Sequence, residues 1–217
     1  MAKLLLAGAT GLVGTAALKL LLADERVSRV IAPTRRPLPP HAKLLNPITT
    51  IAELPHDADW WTVDGAICAI GTTRSKTPSD AEYRAIDHDY PLAIARLVRD
   101  RGAESFALTS SMGANARSRF TYTRIKGELE DAIDRLGFAS LTIARPGFLG
   151  GPRSENRPME QTINTLLRIA APILPASARI NPASSVAILL VEAALDGRSG
   201  KRIIDSSEIA LAAEATR

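Results

Sequence analysis

The chain has 217 residues, with 27 Lys and Arg against 23 Asp and Glu and a formal net charge of +4. This length suits one α/β domain that buries roughly 70% of the surface its unfolded form exposes, and requires no second domain. The mild basic excess suits a phosphate-bearing ligand and is too small and too scattered for a nucleic-acid groove, while a lone cysteine, Cys68, excludes disulfides within the chain.

Short β-type apolar runs alternate with longer helical patterns. The first run, Leu4 to Ala7, leads into Gly8-Ala9-Thr10-Gly11-Leu12-Val13-Gly14. A helix predicted over 15–23 follows, from apolar residues at three- and four-residue spacing. Such a turn needs glycine to bend sharply, to bring the backbone close to phosphates and to let the helix pack on the strand. The helix N-terminus then offers unpaired N–H groups to an anion. A tight turn without ligand is the alternative.

The second strand, near residues 29–32, runs into Pro33-Thr34-Arg35-Arg36 without the acidic residue that would hold a ribose 2′-hydroxyl. Two guanidiniums suit a 2′-phosphate, so NADP is expected in preference to NAD; a basic surface turn is the alternative. Pro37 to Pro40 reads as an extended surface loop, and Asn46, after a third strand, is a candidate adenine contact. Trp60 and Trp61 read as packing anchors rather than a base-stacking platform. The fourth strand is expected over 64–70, with Cys68 as a buried core thiol. None of His41, His56 and His88 has metal-ligand spacing, and His88 is expected at a helix surface.

A helix over 90–100 precedes a strand over 105–109, which places Thr109-Ser110-Ser111 at the carboxyl edge of the sheet, where open α/β sheets bind ligands. Tyr122 and Lys126 follow, four apart on a helix predicted over 122–136, so both project from one face. A neighbouring ammonium favours the phenolate and equips a tyrosine to exchange a proton with a substrate oxygen. Three tyrosines and six lysines in 217 positions would produce about 0.08 chance matches of this spacing. A strand over 141–144 leads to Arg145-Pro146-Gly147. Residues 150–158 read as a loop, 159–171 as a helix and 172–182 as irregular, so 150–182 forms a substrate-side insertion in a single domain spanning 1–217. A helix over 184–195 and a strand near 202–204 close the pattern. Alternating elements of this kind make a doubly wound parallel sheet of Rossmann type.

No run of about 18 apolar residues occurs, because Arg168, Pro172 and Pro175 interrupt the longest candidate. The four-residue apolar run near the N-terminus is too short for a signal-peptide core. A cytoplasmic protein without membrane or nucleic-acid partners is expected, acting on a small molecule, with a homodimer open.

The order Gly-x-x-Gly-x-x-Gly, Gly71-Thr72-Thr73, Ser110-Ser111, Tyr122-x-x-x-Lys126 and Arg145-Pro146-Gly147 resembles the short-chain dehydrogenase/reductases. It is most similar to their atypical, nucleoside-diphosphate-sugar-epimerase-like branch related to the Tat-interacting oxidoreductase. The similarity covers nearly the whole chain and includes Gly71-Thr72-Thr73-Arg74 and Ile86-Asp87-His88-Asp89-Tyr90. The resemblance implies Tyr122 as general acid/base, Lys126 as its partner and ribose ligand, and Ser111, or alternatively Ser110, on the substrate carbonyl. It also implies cofactor contacts at Gly8, Ala9, Thr10, Gly11, Leu12, Val13 and Gly14, at Ala69, Ile70 and Gly71, at Thr109, and at Pro146, Gly147 and Phe148. Asp87 stands where many relatives carry Asn. The implied function is an NADP-dependent oxidoreductase acting on a small carbonyl or alcohol. The alternatives are an NADPH-sensing binding protein and a sugar-nucleotide-epimerase-like enzyme.

Overall fold

The computed structural model describes residues 1–50, 53–72, 77–150 and 180–215. β1 (Ala2–Ala7), α1 (Leu12–Ala23), β2 (Val27–Ile31), β3 (Leu44–Leu45) and β4 (Gly65–Cys68) build the first half. A helical segment follows as α2 (Asp80–Arg84), a π-helical turn (Ala85–Asp89) and α3 (Tyr90–Asp100). Then come β5 (Ser105–Thr109), α4 (Thr121–Asp134), β6 (Ser140–Arg145), β7 (Leu149–Gly150), β8 (Asn181–Pro182), α5 (Ala183–Asp196), β9 (Gly200–Asp205) and α6 (Ser206–Ala215).

Seven strands form one parallel sheet in the order β3-β2-β1-β4-β5-β6-β9, while β7 and β8 pair separately. Strand β1 lies between β2 and β4, and Leu4, Leu5 and Leu6 are fully buried. Because successive strand residues point to opposite faces, Leu5 and Ala7 join one core cluster while Leu4 and Leu6 join another. The first cluster takes Leu92 and Val98 of α3 and Leu129 and Ile133 of α4. The second takes Ala17 and Leu21 of α1 and Val186 and Leu190 of α5. Helices therefore cover both faces, as an all-parallel sheet of apolar strands requires, and the expected doubly wound Rossmann-type architecture is what the chain adopts.

The registers align the strand ends. Ala7 lies opposite Cys68, Cys68 opposite Leu108, and Thr109 opposite Ala144. The segments following these strands, beginning at Gly8, Ala69, Ser110 and Pro146, therefore leave the same carboxyl edge.

Several boundaries differ from the sequence expectation. Helix α1 begins at Leu12 rather than Thr15, because Gly14 sits inside its first turn. Strand β4 ends at Cys68, although Ala69 still donates to the Ala7 carbonyl at 2.9 Å. Asn181 and Pro182 form β8 rather than irregular chain, and α6 follows β9. His88 is buried rather than at a helix surface, since the π-helical turn brings Asp87 and His88 inside together, with His88 Nδ1 2.7 Å from Asp89 Oδ1. Trp61 is fully buried and donates to the Pro55 carbonyl at 2.7 Å, which makes it the anchor expected. Cys68 is buried as well. Of the 150–182 insertion, 151–179 lie outside the described residues, including the helix expected over 159–171.

Candidate active site at the carboxyl edge of the sheet

The glycine turn is closed by contacts a side chain would destroy. Gly8 has φ +87°, and a Cβ there would stand 2.8 Å from the backbone carbonyl of Ala69. A Cβ on Gly14 would collide with the Gly8 carbonyl oxygen. Gly11 donates to that carbonyl at 2.9 Å and forms the N-cap of α1 without a side-chain cap, which leaves first-turn N–H groups for an anion. Ala9 and Val13 are buried, so only their backbones can face a ligand, while Thr10 is exposed. A cradle that excludes Cβ atoms at a helix N-terminus fits a pyrophosphate.

Arg35 and Arg36 are exposed beyond the end of β2. Their loop is held from within: Thr34 Oγ1 donates to the Arg36 carbonyl at 2.7 Å. Asn46 Nδ2 donates to the Ala32 carbonyl at 2.6 Å and to Thr34 Oγ1 at 2.8 Å, and its Oδ1 accepts from Leu38 N at 2.8 Å. Both ends of the Asn46 amide are thus committed to the loop that carries the arginines. Asn46 follows β3, as expected, and lies beside the β2 loop.

Lys126 is 3% exposed and Asp87 fully buried. Their Nζ and Oδ1 lie 2.7 Å apart, as an ion pair not aligned as a hydrogen bond. The pair sits beneath Gly71, whose Cβ position would be 3.5 Å from Asp87 Oδ1 and 3.7 Å from Lys126 Nζ. Asp87 Oδ2 accepts the Thr72 N–H at 2.9 Å. The Ala69–Gly71 segment therefore touches the glycine turn at one end and Lys126 at the other. One turn from Lys126, Tyr122 is 42% exposed, with its ring 6.2 Å from that of buried Tyr83.

The two serines differ. Ser110 Oγ donates to Glu130 Oε1 at 2.5 Å, and Glu130 is bound in turn by the Arg145 guanidinium, with Nε at 3.0 Å. The Glu130 carboxylate holds Arg145 protonated beyond its ordinary range. Among the described residues, Ser111 Oγ has only a local bond, to the Met112 carbonyl at 3.1 Å. Thr109 Oγ1 is buried and lacks a hydrogen-bond partner among the described residues.

The Pro146–Gly147 turn is fixed on both sides. Met112 N–H donates to the Pro146 carbonyl at 2.9 Å, and Gly147 N–H to Asn181 Oδ1 at 2.7 Å. Fully buried Asn181 also donates to the Ser206 carbonyl at 2.9 Å. Phe148, Phe120 and Met112 are exposed around this edge. Sequence reasoning missed Glu130, Asn181 and Tyr83. Only the spacing of Glu130 one turn beyond Lys126 on the same helix could have signalled the first. No group of three metal-capable side chains occurs among the described residues, and no described helix is long and apolar enough to cross a membrane.

The sheet and the segments that leave this edge define a Rossmann-type α/β fold. No protein-family model matches the chain. Over 174 residues it is 37% identical to "Protein fmp52, mitochondrial" of Emericella nidulans, covering 74% of this chain and 72% of that protein. The chain belongs to the family of the fungal fmp52 proteins. Among solved structures it is similar to MoeE5 in complex with UDP-glucose and NAD, with TM-score 0.70, 18% identity, and coverage of 99% of this chain and 82% of that one. It is also similar to the PhqB reductase domain from Penicillium fellutanum, with TM-score 0.65, 23% identity, and coverage of 93% and 66%. At these identities the structures establish the fold.

Fungal relatives named mitochondrial overturn the cytoplasmic expectation. That expectation rested on a missing apolar leader core and a single cysteine, and neither separates the cytoplasm from another reducing compartment.

Proposed function

We propose that this chain is a nicotinamide-dinucleotide-dependent oxidoreductase, preferring the 2′-phosphorylated cofactor, that interconverts a small carbonyl and its alcohol. The observation that carries this reading is the Ala69–Gly71 segment, which packs on the glycine turn and covers Lys126, so that a pyrophosphate cradle and a Tyr-x-x-x-Lys face share one sheet edge. Solved structures of the same fold hold NAD, which supports the cofactor class, and a reductase domain of the same fold supports redox chemistry. The sequence motifs add support for the atypical branch related to the Tat-interacting oxidoreductase.

A bound nicotinamide ring supplies the hydride in carbonyl reduction and accepts it in alcohol oxidation. In reduction, Ser111 holds the carbonyl oxygen. As the C–H bond forms and the C=O π pair moves onto oxygen, Tyr122 delivers the phenolic proton to that oxygen, leaving an alcohol and a phenolate. Lys126 stabilises the phenolate and binds a ribose hydroxyl. The Gly8–Gly14 backbone binds the pyrophosphate, and Arg35 and Arg36 bind a 2′-phosphate.

Fluorescence titration with NADPH and NADH, followed by a carbonyl panel, tests the reading. The wild type is expected to bind NADPH more tightly, and Tyr122→Phe to lose turnover while keeping cofactor affinity. Unchanged turnover in that variant would remove Tyr122 from the mechanism. Binding of neither nucleotide would end the oxidoreductase assignment.

A further inference from the structure

The aromatic side chains of this protein are sorted by place. Phe106, Phe138, Tyr83 and Trp61 are buried, and Trp60 and Tyr90 are half-buried. The other three, Phe120, Tyr122 and Phe148, are exposed at 77%, 42% and 58%, and all stand at the carboxyl edge beside Ser111, as does exposed Met112. Backbone contacts make them neighbours. Met112 N–H donates to the Pro146 carbonyl at 2.9 Å, two residues before Phe148, and a Cβ on Gly113 would stand 3.5 Å from the Thr123 side chain, next to Tyr122. The loop that carries Phe120 is fixed on α4. Asn115 N–H donates to the Thr123 carbonyl at 2.9 Å, the Ser118 and Thr123 hydroxyls bond at 2.6 Å, and Phe120 N–H donates to Ser118 Oγ at 3.1 Å. A Cβ on Gly127 would collide with the Ala116 backbone nitrogen, so glycine there lets the loop lie against the helix. A contiguous exposed apolar rim marks a binding site rather than ordinary surface, and rings on a fixed loop offer apolar area at little ordering cost.

We propose, on the oxidoreductase reading above, that the carbonyl substrate carries an apolar body, an alkyl chain or an aromatic ring, and that Phe120 is a specificity-determining residue packing against it. The carbonyl sits at Ser111 and Tyr122, and the body extends over Phe120 and Met112. Phe120 precedes Tyr122 by two residues and Met112 follows Ser111 directly, so both flank the groups assigned to the reacting carbonyl. Each methylene taken out of water against this rim is worth about a threefold to fourfold gain. A polyhydroxylated carbonyl would press hydroxyls against these side chains without partners and is disfavoured. Hydride and proton transfer use neither Phe120 nor Met112, so the rim sets which carbonyl enters and leaves the chemistry alone.

The test follows NADPH oxidation by the full chain with propanal, pentanal, octanal and glyceraldehyde, for the wild type, Phe120→Ala, Phe120→Gln and Phe120→Leu, with NADPH affinity measured alongside. In the wild type, kcat/KM is expected to rise at least about tenfold from propanal to octanal, mainly through KM. Phe120→Ala is expected to flatten that rise to within about threefold, and Phe120→Leu to retain most of it. Phe120→Gln keeps the bulk without the apolar ring, is expected to behave as the alanine variant does, and decides the matter if that variant fails to fold. Glyceraldehyde, which adds two hydroxyls to the propanal chain, is expected to be no better a substrate than propanal. NADPH affinity and propanal turnover are expected to stay within about twofold in all variants, which a merely structural loss would not allow. No rise with chain length in the wild type, an undiminished rise in Phe120→Ala and Phe120→Gln, or a preference for glyceraldehyde would each overturn the proposal. A wild type that binds NADPH and reduces none of the four would overturn it too, and leave the cofactor reading standing. A wild type that binds neither NADPH nor NADH would overturn the cofactor reading itself.

Discussion

Ser110 Oγ donates to Glu130 Oε1 at 2.5 Å, so the first of two adjacent serines is bound to a buried carboxylate that Arg145 also grips. The sequence left both serines open for the substrate carbonyl, and this bond separates their predicted roles. Ser110→Ala removes a donor from a 3% exposed carboxylate and is expected to cost about 1.5–3 kcal/mol, the range for hydrogen bonds to charged groups. Ser111→Ala loses only a local bond to its neighbour's carbonyl, is expected to cost less than about 1 kcal/mol, and should remove turnover. Urea unfolding paired with steady-state assays distinguishes the two. Equal stability losses would mean that the Glu130 clamp does not depend on Ser110.

The glycine turn yields a second prediction. Gly8→Ala forces a Cβ to within 2.8 Å of the Ala69 backbone at a φ of +87°, where the crowding atoms cannot rotate away. Strain on the order of 1–3 kcal/mol is expected, with loss of NADPH binding as the turn moves off the sheet edge. Calorimetric melting and nucleotide titration check it. A variant of wild-type stability and affinity would show that this backbone yields readily.

Much of this architecture was legible because its cause is local. Leu4 to Ala7 followed by glycines announces a buried strand entering a phosphate-type turn, and the apolar spacing of α3, α4 and α5 announces helices on a sheet. Tyr122 and Lys126 were legible through their own spacing. Their partners were not, since nothing near Asp87 or Tyr83 in sequence says that α2 and the π-helical turn will lie against α4. Asn181 is a similar case: an Asn-Pro pair reads as a loop, and only tertiary packing brings its amide between Gly147 and Ser206. His88 was misjudged because a charged-looking Asp-His-Asp run suggests a solvated face, whereas the widened turn buries two of the three.

Cofactor preference is predicted to reside in the β2 loop. Arg35 and Arg36 are exposed, on a loop pinned by Thr34 and Asn46. Replacing both with alanine is expected to weaken NADPH by at least about tenfold while changing NADH by no more than about twofold, since each charge-assisted contact to a phosphate is worth about 1.5–3 kcal/mol. Parallel titrations measure the ratio. Equal losses for the two nucleotides would assign the arginines to a general electrostatic role.

Cys68 offers a check on the core. Burial pushes its thiol up to about 11, which leaves roughly one thiolate in 10⁴ at pH 7. A thiol reagent at neutral pH is therefore expected to react with the native chain orders of magnitude more slowly than with the unfolded chain. Comparable rates would place the end of β4 within reach of solvent.

The last prediction concerns acid stability. Asp205 closes β9 and caps α6, with Oδ1 accepting from Ser207 N at 2.9 Å, from Glu208 N at 3.0 Å and from the Ser207 hydroxyl. The Ser207 hydroxyl first, and then the Glu208 N–H, hold this carboxyl below the usual carboxylate range. The unfolded chain, with an ordinary value near about 3.9, therefore takes up its proton at higher pH than the folded chain does. The cap's contribution is full above that unfolded value and is lost as pH falls through the lower, folded one. Asp205→Ala is expected to cost about 1 kcal/mol at pH 7, as for other N-cap losses. The gap from wild type should shrink progressively below about pH 4. Urea unfolding of both proteins from pH 7 to pH 3 measures it, and a gap that stays constant across that range would show that the ionised carboxylate is not what caps α6.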